Sequence, residues 1–417
     1  MKILHLSYSD SKGGASRAAM RIHQSLLKKK INSFLQVSTY NSSEKIKKNI
    51  IRPNIVRCFL NKLKSAIESR LSNLLRQDNF VKNSISLFPT NLHKSINESD
   101  YDAIHLHWIN GETISIEDIG KIKKPIVWTL HDMWAFTGSE HYTFSDRWKL
   151  GYCSSIKKNK KRFMDIDISK FVWKRKVKSW KNKLNIVGVS NWITECAYSS
   201  YLLKDFNCQT INNTLDVRFW KREDKSICKK YFNLPDDLRF IGFGSLGYKN
   251  TNLKGKDLFL SAIKNISYNK KKIALFTIGD SNSFIENEYG IKVFSIPRLE
   301  KDIEIKKFYN CLDLIVVPSR IESFGQTASE ACACEVPVVC FNATGLKDII
   351  IHKSNGWLAN PYNPKKLAEG IDYILKLDTK NYNKMRLSSG AIAKKKFSYE
   401  FISNEYIKLY SKILNQN

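Results

Sequence analysis

Short apolar runs alternate along this chain with stretches whose apolar residues recur every three or four positions, the signature of βα units on parallel sheets. In the first half, the runs at 2–8, 33–38, 103–108, 125–130 and 185–189 predict strands. In the second half, those at 239–244, 273–278, 292–296, 314–317 and 336–341 predict more. Helices fit between them, for example over 15–29, 257–264, 324–334 and 365–375. This α/β pattern implies two doubly wound domains in series, with a boundary between 205 and 225. We assign 1–208 to a first domain with basic helical insertions and 209–395 to a second. Residues 396–417 remain as a terminal segment, in which 399–414 reads as an amphipathic helix with no strand after it. The apolar opening is short and leads straight to Gly13-Gly14, so it is a first strand and not a signal peptide. No apolar run approaches the roughly 20 residues of a membrane-spanning helix. These readings place the protein in the cytoplasm.

Two insertions stand out in the first domain. Residues 45–76 carry nine Lys/Arg and one acid, with Val56, Phe59, Leu60, Leu63, Ile67, Leu71 and Leu74 at helical spacing. Residues 157–184 carry twelve Lys/Arg and two acids, with Trp173, Val177, Trp180 and Leu184 along one face. A basic helix with an apolar stripe can lie on an anionic bilayer, or it can pack on its own domain with a solvated basic face. The first insertion leaves both open. The second, with its two tryptophans, points to membrane contact.

Composition narrows the classes. A chain of 417 residues, 42% hydrophobic and 12% aromatic, can bury two cores and is not disordered. The net charge of +30 favours anionic partners: nucleic acid, an anionic membrane or phosphate-rich substrates. No basic–aromatic single-strand platform or helix-turn-helix supports nucleic acid. Nine cysteines show no pairing pattern, and Cys332, Cys334 and Cys340 lack a second ligand cluster, so buried thiols in a reducing compartment are expected. His105 and His107 alternate as strand residues do, which makes a metal pair unnecessary.

In open α/β sheets, ligands bind beyond the carboxyl ends of strands. Four such turns carry candidate chemistry. Gly13 and Gly14 follow the first strand and let backbone approach an anion at a helix N-terminus, without the spacing of a dinucleotide fingerprint. His131 ends an apolar strand. Gly244 and Ser245 leave room after another, with Lys254 ten residues past Gly244 as a charge for a phosphate leaving group. Finally, Glu322, Ser323, Phe324, Gly325, Thr327 and Glu330 follow the strand ending at Pro318. A helix starting near Phe324 would aim its amides at a phosphate and set Glu322 and Glu330 two turns apart on one face. Carboxylates suit vicinal hydroxyls of sugars and ribose.

The segment from Pro318 to Ala331, with Pro337-Val338-Val339, resembles the E-x7-E signature of the family 4 retaining glycosyltransferases, also called group 1. The likeness extends to Ile186–Ser190, Ile211–Asp216, Lys254-Gly255 and Asn355–Leu358. His105–Trp108 and His131–Gly138 look like the subgroup that builds bacterial exopolysaccharide and O-antigen. This resemblance implies the GT-B fold, two Rossmann-like domains facing a cleft with a C-terminal helix crossing back to the first. It implies that Glu322 bonds the donor sugar and Glu330 the ribose. The amides of Ser323, Phe324 and Gly325, with Thr327, would hold the sugar-phosphate region. Lys254, aided by Gly13-Gly14, would neutralise the departing diphosphate, and His131 would contact the sugar near the reacting carbon. A nucleotide-sugar co-substrate is implied, with no metal and no other cofactor.

Two departures from the family pattern matter. The arginine usual shortly before the lysine is missing from 245–253, where Lys249 offers only a point charge. Glu335 stands where glycine is usual, and a positive φ would strain it. The sequence thus leads to a retaining transfer from a UDP- or GDP-sugar to a lipid-linked surface glycan, on the inner face of the cell membrane. A synthase of a small soluble glycoside, a nucleic-acid-binding protein and an inactive scaffold subunit are the alternatives.

Overall fold

The computed structural model describes residues 1–417 except 12, 41–47, 76–80, 154–166, 182–183, 245–250, 280–288 and 417. The chain forms two compact units, Met1–Thr214 with Tyr399–Asn417, and Leu215–Ser398.

The first unit begins with β1 (Lys2–Ser9), α1 (Gly14–Lys28), β2 (Asn32–Thr39), β3 (Ile50–Ile51) and α2 (Ile55–Leu75). It continues through α3 (Leu92–Glu98), β4 (Ala103–Leu106), α4 (Ile116–Gly120), β5 (Ile126–Leu130) and α5 (Ile168–Ser179). It closes with β6 (Leu184–Gly188), α6 (Asn191–Ser199) and β7 (Asn207–Thr210). The strands are parallel in the order β3-β2-β1-β4-β5-β6-β7.

The second unit opens with α7 (Lys225–Tyr231), β8 (Arg239–Gly244), α8 (Thr251–Lys254), α9 (Lys256–Lys264), β9 (Ile273–Ile278) and β10 (Lys292–Ile296). Then come α10 (Asp302–Cys311), β11 (Leu314–Val317), α11 (Gln326–Ala333), β12 (Val338–Phe341) and β13 (Gly356–Ala359). Helices α12 (Pro364–Lys376) and α13 (Thr379–Phe397) end it. Its parallel sheet runs β10-β9-β8-β11-β12-β13. Strands β4, β5, β11 and β12 are buried along their whole length, as central strands covered on both faces must be.

The last helix, α14 (Tyr399–Leu414), packs into the first unit. Its Ile402, Tyr406, Leu409, Tyr410 and Ile413 share a core with Ile22 and Leu26 of α1 and with Ile3, Ala103, Val127 and Val187 of the sheet. Tyr399 donates to Gln24 Oε1 at 3.0 Å, fixing the start of the helix on α1. This is the GT-B set of elements: two Rossmann-like doubly wound domains and a C-terminal helix returned to the first.

Both sheets reverse their strand order beside their first strand, between β1 and β4 and between β8 and β11. Ligand crevices of doubly wound sheets open at such switch points.

The structure corrects the reading of the second basic insertion. In α5, Trp173 is buried against Tyr152 and Tyr201, and the neighbouring Trp180 against Trp128 and Trp134, so neither tryptophan faces a membrane. Trp180 Nε1 also donates to Ile116 O at 2.9 Å. In α2 the apolar stripe is turned outwards instead of onto the domain. No helix among the described residues is long and apolar enough to cross a membrane. Of the cysteines, Cys58, Cys228, Cys311, Cys332, Cys334 and Cys340 are buried, whereas Cys153 is exposed and Cys196 and Cys208 are half-buried.

Candidate active site

In the second unit, strand β11 delivers the loop 318–325 beside α8 and α9. Gly255, at φ +69°, sits so close that a Cβ there would lie 2.0 Å from Pro318 O. Arg320 N donates to Leu253 O at 2.8 Å, and its guanidinium grips both oxygens of Asp257. On the other side, Glu322 N donates to Thr344 Oγ1 at 3.2 Å and Gly345 N donates to Glu322 O at 2.8 Å. These clamps bring Lys254 and Glu322 into contact. Lys254 Nζ donates to Glu322 Oε1, which also accepts from Ser319 Oγ at 3.0 Å. Lys254 keeps 38% of its side chain exposed and Glu322 14%, so the pair stands at a surface a ligand can reach.

Helix α11 begins at Gln326, later than the sequence suggested. Gly325 at φ +106° breaks the helical run, and a side chain there would meet Leu346 at 2.6 Å. Glu322 is therefore a loop residue, and helical spacing does not align it with Glu330. Glu330 is buried within α11, where its Oε2 accepts from Tyr309 Oη of α10 at 2.9 Å. Ser323 and Phe324 are buried, with the Phe324 ring edge-on to Phe397, and Thr327 is half-buried in the first turn of α11. The first amides of α11, which lack intrahelical partners, follow directly on the Glu322 loop. Gly244 ends β8, and a side chain there would meet no described atom within 4 Å. Ser245 and Lys249 lie outside the described residues.

Glu335 does adopt the left-handed conformation, at φ +60°. It is held there by Arg386, whose guanidinium donates to Glu335 Oε2.

In the first unit, Gly13 caps α1 at φ +93°, and both Gly13 and Gly14 are exposed. The turn before them is pinned by buried Asp10, which accepts from Arg52 Nη2 at 2.6 Å and Nε at 3.0 Å. His131, just past β5, ends a chain of imidazoles. Its Nε2 lies 3.2 Å from His107 Nδ1, and His107 Nε2 lies 2.9 Å from His5 Nδ1. Burial pushes the His131 pKa down to about 4, against the opposing pull of Asp132, and holds His5 and His107 well below their ordinary value. A neutral imidazole has one donor and one acceptor, so the three tautomers are linked. His5 Nε2 is buried without a partner among the described residues. An unpaired lone pair is tolerated there better than an unpaired N–H. On that ground we assign donation from His5 to His107 to His131, which leaves His131 with an N–H at Nδ1.

His5, His105 and His107 lie close enough together to suggest a metal site. However, the His5 and His107 rings stack, and His105 is already bonded to Tyr410 Oη at 2.6 Å and Thr129 Oγ1 at 2.7 Å. His5 and His107 are bonded to each other and His107 also to His131, so among the described residues only the His5 Nε2 lone pair of this group is left unengaged.

Sequence reasoning missed the supports of the loop after His131. Asp132 Oδ2 accepts from Trp108 Nε1 at 2.8 Å and lies 2.6 Å from His141 Nδ1. Lys176, fully buried in α5, donates from Nζ to the carbonyls of Trp134, Thr137 and Gly138 and lies over the Trp134 ring. Its position inside a run of lysines hid it, since nothing in the pattern separates one buried lysine from solvated ones. Gly13, Gly14 and His131 belong to the first unit, and the remaining described candidates to the second.

Residues 233–395 match the family model of the "Glycosyl transferases group 1". That match lies within the second unit and covers less than half of the chain. The chain is 34% identical over 172 residues to the uncharacterized glycosyltransferase MJ1178 of Methanocaldococcus jannaschii, covering 38% of this chain and 45% of that protein. It is 24% identical over 246 residues to the capsular polysaccharide biosynthesis glycosyltransferase CapM of Staphylococcus aureus, covering 56% and 63%. The match thus spans less than two thirds of either relative. Among solved structures, Anabaena HepE in complex with UDP and glucose aligns with a TM-score of 0.65 at 16% identity, over 99% of this chain and all of that one. WaaG, a glycosyltransferase involved in lipopolysaccharide biosynthesis, aligns at 0.64 and 12% identity over 97% and 98%. At such identities these structures show the fold.

Proposed function

We propose that this protein is a retaining, metal-independent glycosyltransferase. It moves a hexosyl unit from a UDP- or GDP-sugar to a growing, lipid-linked surface polysaccharide or lipopolysaccharide, at the inner face of the cell membrane. The observation that carries the reading is the contact between Lys254 and Glu322 at the switch point of the second sheet, directly before the N-terminus of α11.

In this reading Glu322 accepts hydrogen bonds from hydroxyls of the donor sugar, and Glu330, oriented by Tyr309, takes the ribose hydroxyls. The amides of Ser323, Phe324 and Gly325, with Thr327, hold the sugar-phosphate region, and Gly244 leaves it room. The bond from the anomeric carbon to the diphosphate oxygen breaks as the acceptor hydroxyl bonds to the same face, and the hydroxyl proton passes to the leaving group. Lys254 and the α11 amides meet the charge that builds on the diphosphate, with Gly13-Gly14 as a further amide site, so charge stabilisation needs no divalent cation. His131 presents its Nδ1–H to the sugar near the reacting carbon.

The HepE structure with UDP and glucose supports a nucleotide-sugar donor, and the CapM and WaaG likenesses support a surface-glycan product. Calorimetry with UDP, GDP and their sugars tests the donor. Binding of one set that Glu322→Ala weakens supports the reading; no binding by any of them removes it.

A further inference from the structure

Helix α2 is built inside out. The positions it turns to the domain are Cys58, Asn61, Ser65, Glu68 and Ser72, three or four residues apart and buried or half-buried. Asn61 Nδ2 donates to Ser38 O at 2.9 Å, and Glu68 Oε1 accepts from Ile85 N at 2.5 Å. Polar side chains thus fasten this helix to the first domain. The opposite face shows Ile55, Val56, Phe59, Leu60, Leu63, Ile67 and Leu74 to solvent, with exposures from 46% to 79%. A helix of a water-soluble protein ordinarily turns its apolar stripe to the core, and a contiguous exposed stripe marks an interaction surface.

Charge decides what fits it. Arg57, Lys62, Lys64 and Arg70 project from the same helix, whose one acid, Glu68, is buried. At 100° per residue, Lys62 and Lys64 border the two edges of the apolar stripe, and Arg70 falls within it. A second copy docked face to face would bring two such sets of cations together with no acid to meet them. An anionic bilayer meets every part: the stripe enters the acyl boundary while the cations stay at the phosphates. The net charge of +30 acts in the same direction.

We infer that α2 is the membrane-docking element of this protein, lying in the plane of an anionic lipid surface with Ile55, Phe59, Leu63 and Ile67 inserted. The helix is tied to Ser38 near the carboxyl end of β2, the sheet edge from which the Gly13-Gly14 turn also springs. Docking there sets the lipid surface beside the ligand-bearing edge of the domain, where a lipid-linked acceptor would be presented. That acceptor assignment rests on the glycosyltransferase reading, whereas the docking itself does not.

The test is flotation of the full-length protein with vesicles of phosphatidylcholine alone or mixed with phosphatidylglycerol. The triple variant Ile55→Ser/Phe59→Ser/Leu63→Ser is run beside it, and since these side chains are exposed it should melt as the parent does. Wild type is expected to float with the anionic vesicles and to be released by high salt, and the variant to bind at least about tenfold less. Equal flotation of variant and parent overturns the inference. So does a parent that ignores lipid and forms a dimer which the variant dissolves. Nucleotide binding, measured on both proteins, reports separately on the proposed function: its absence from both would count against that function and leave the flotation result to decide docking.

Discussion

Lys254 and Glu322, 68 residues apart in sequence, are joined by a direct hydrogen-bonded ion pair. Gly255 permits it, because only a residue without a side chain lets α8 and α9 approach Pro318 O so closely. The lysine is more than a third exposed, so the pair contributes at most about 1 kcal/mol to stability. Lys254→Ala is therefore expected to shift the melting temperature by no more than about 3 °C while weakening nucleotide-sugar binding by about tenfold or more. A large loss of stability with unchanged binding would make the pair structural.

Glu330 is predicted to report on the ribose. Parent protein should prefer UDP or GDP over its 2′,3′-dideoxy form, and Glu330→Ala should bind the two alike. Tyr309→Phe should lie between, since it removes only the hydrogen bond that orients the carboxylate, which is worth about 1 kcal/mol. Calorimetry on the six pairings of protein and ligand decides the matter.

The imidazole chain predicts a spectroscopic signature. In 15N-labelled protein at pH 7, His131 should appear as a neutral ring protonated at Nδ1, because burial keeps its pKa near 4. His107→Phe removes the donor to His131 Nε2 and should free the ring to sample the other tautomer. An imidazolium, or an Nε2–H form in the parent, would contradict the assignment.

Lys176→Met keeps the volume and strands three carbonyls. At about 1–3 kcal/mol for each buried group left unpaired, a loss of roughly 3 kcal/mol or more is expected. Fluorescence-monitored melting, with Trp134 as the local probe, should show a fall of about 6 °C or more. An unchanged midpoint would mean that water replaces the ammonium.

Much of this architecture was legible in the sequence because buried parallel strands write themselves as unbroken apolar runs, as at Leu314–Val317. The edge strands of the first sheet were not, since Ile50–Ile51 is too short and Asn207–Thr210 too polar to show a pattern. The chemistry-bearing loop at 318–325 could be located from the strand before it. The Lys254 contact could not, because the intervening chain crosses the sheet before returning. Helical periodicity identified α2 and α5 but not which face looks inwards. Trp173 and Lys176 went in, and Phe59 and Leu63 stayed out, because the neighbours that decide this are distant in sequence.

Glu112 gives the first domain a pH dependence. Burial pushes its carboxyl up to about 7, opposed by the amides of Phe88 and Leu87 and reinforced by the nearby Glu68 charge. A carboxyl raised in the folded state contributes stability that is present in full below its unfolded value of 4.5 and is lost as pH rises through about 7. Relative to Glu112→Gln, the parent should lose on the order of 2–3 kcal/mol between pH 5 and pH 8. Denaturant titrations of both proteins at the two pH values measure that difference, and parallel behaviour would refute it.

The central claim is that Glu322 and Lys254 form the heart of a donor site for a nucleotide sugar. Its most direct test is release of UDP or GDP from a panel of nucleotide sugars by purified protein, with and without chelator, beside Glu322→Ala. Release is expected from at least one donor, unaffected by the chelator and reduced by about a hundredfold or more in the variant. No release from any donor, or equal release by parent and variant, would contradict it.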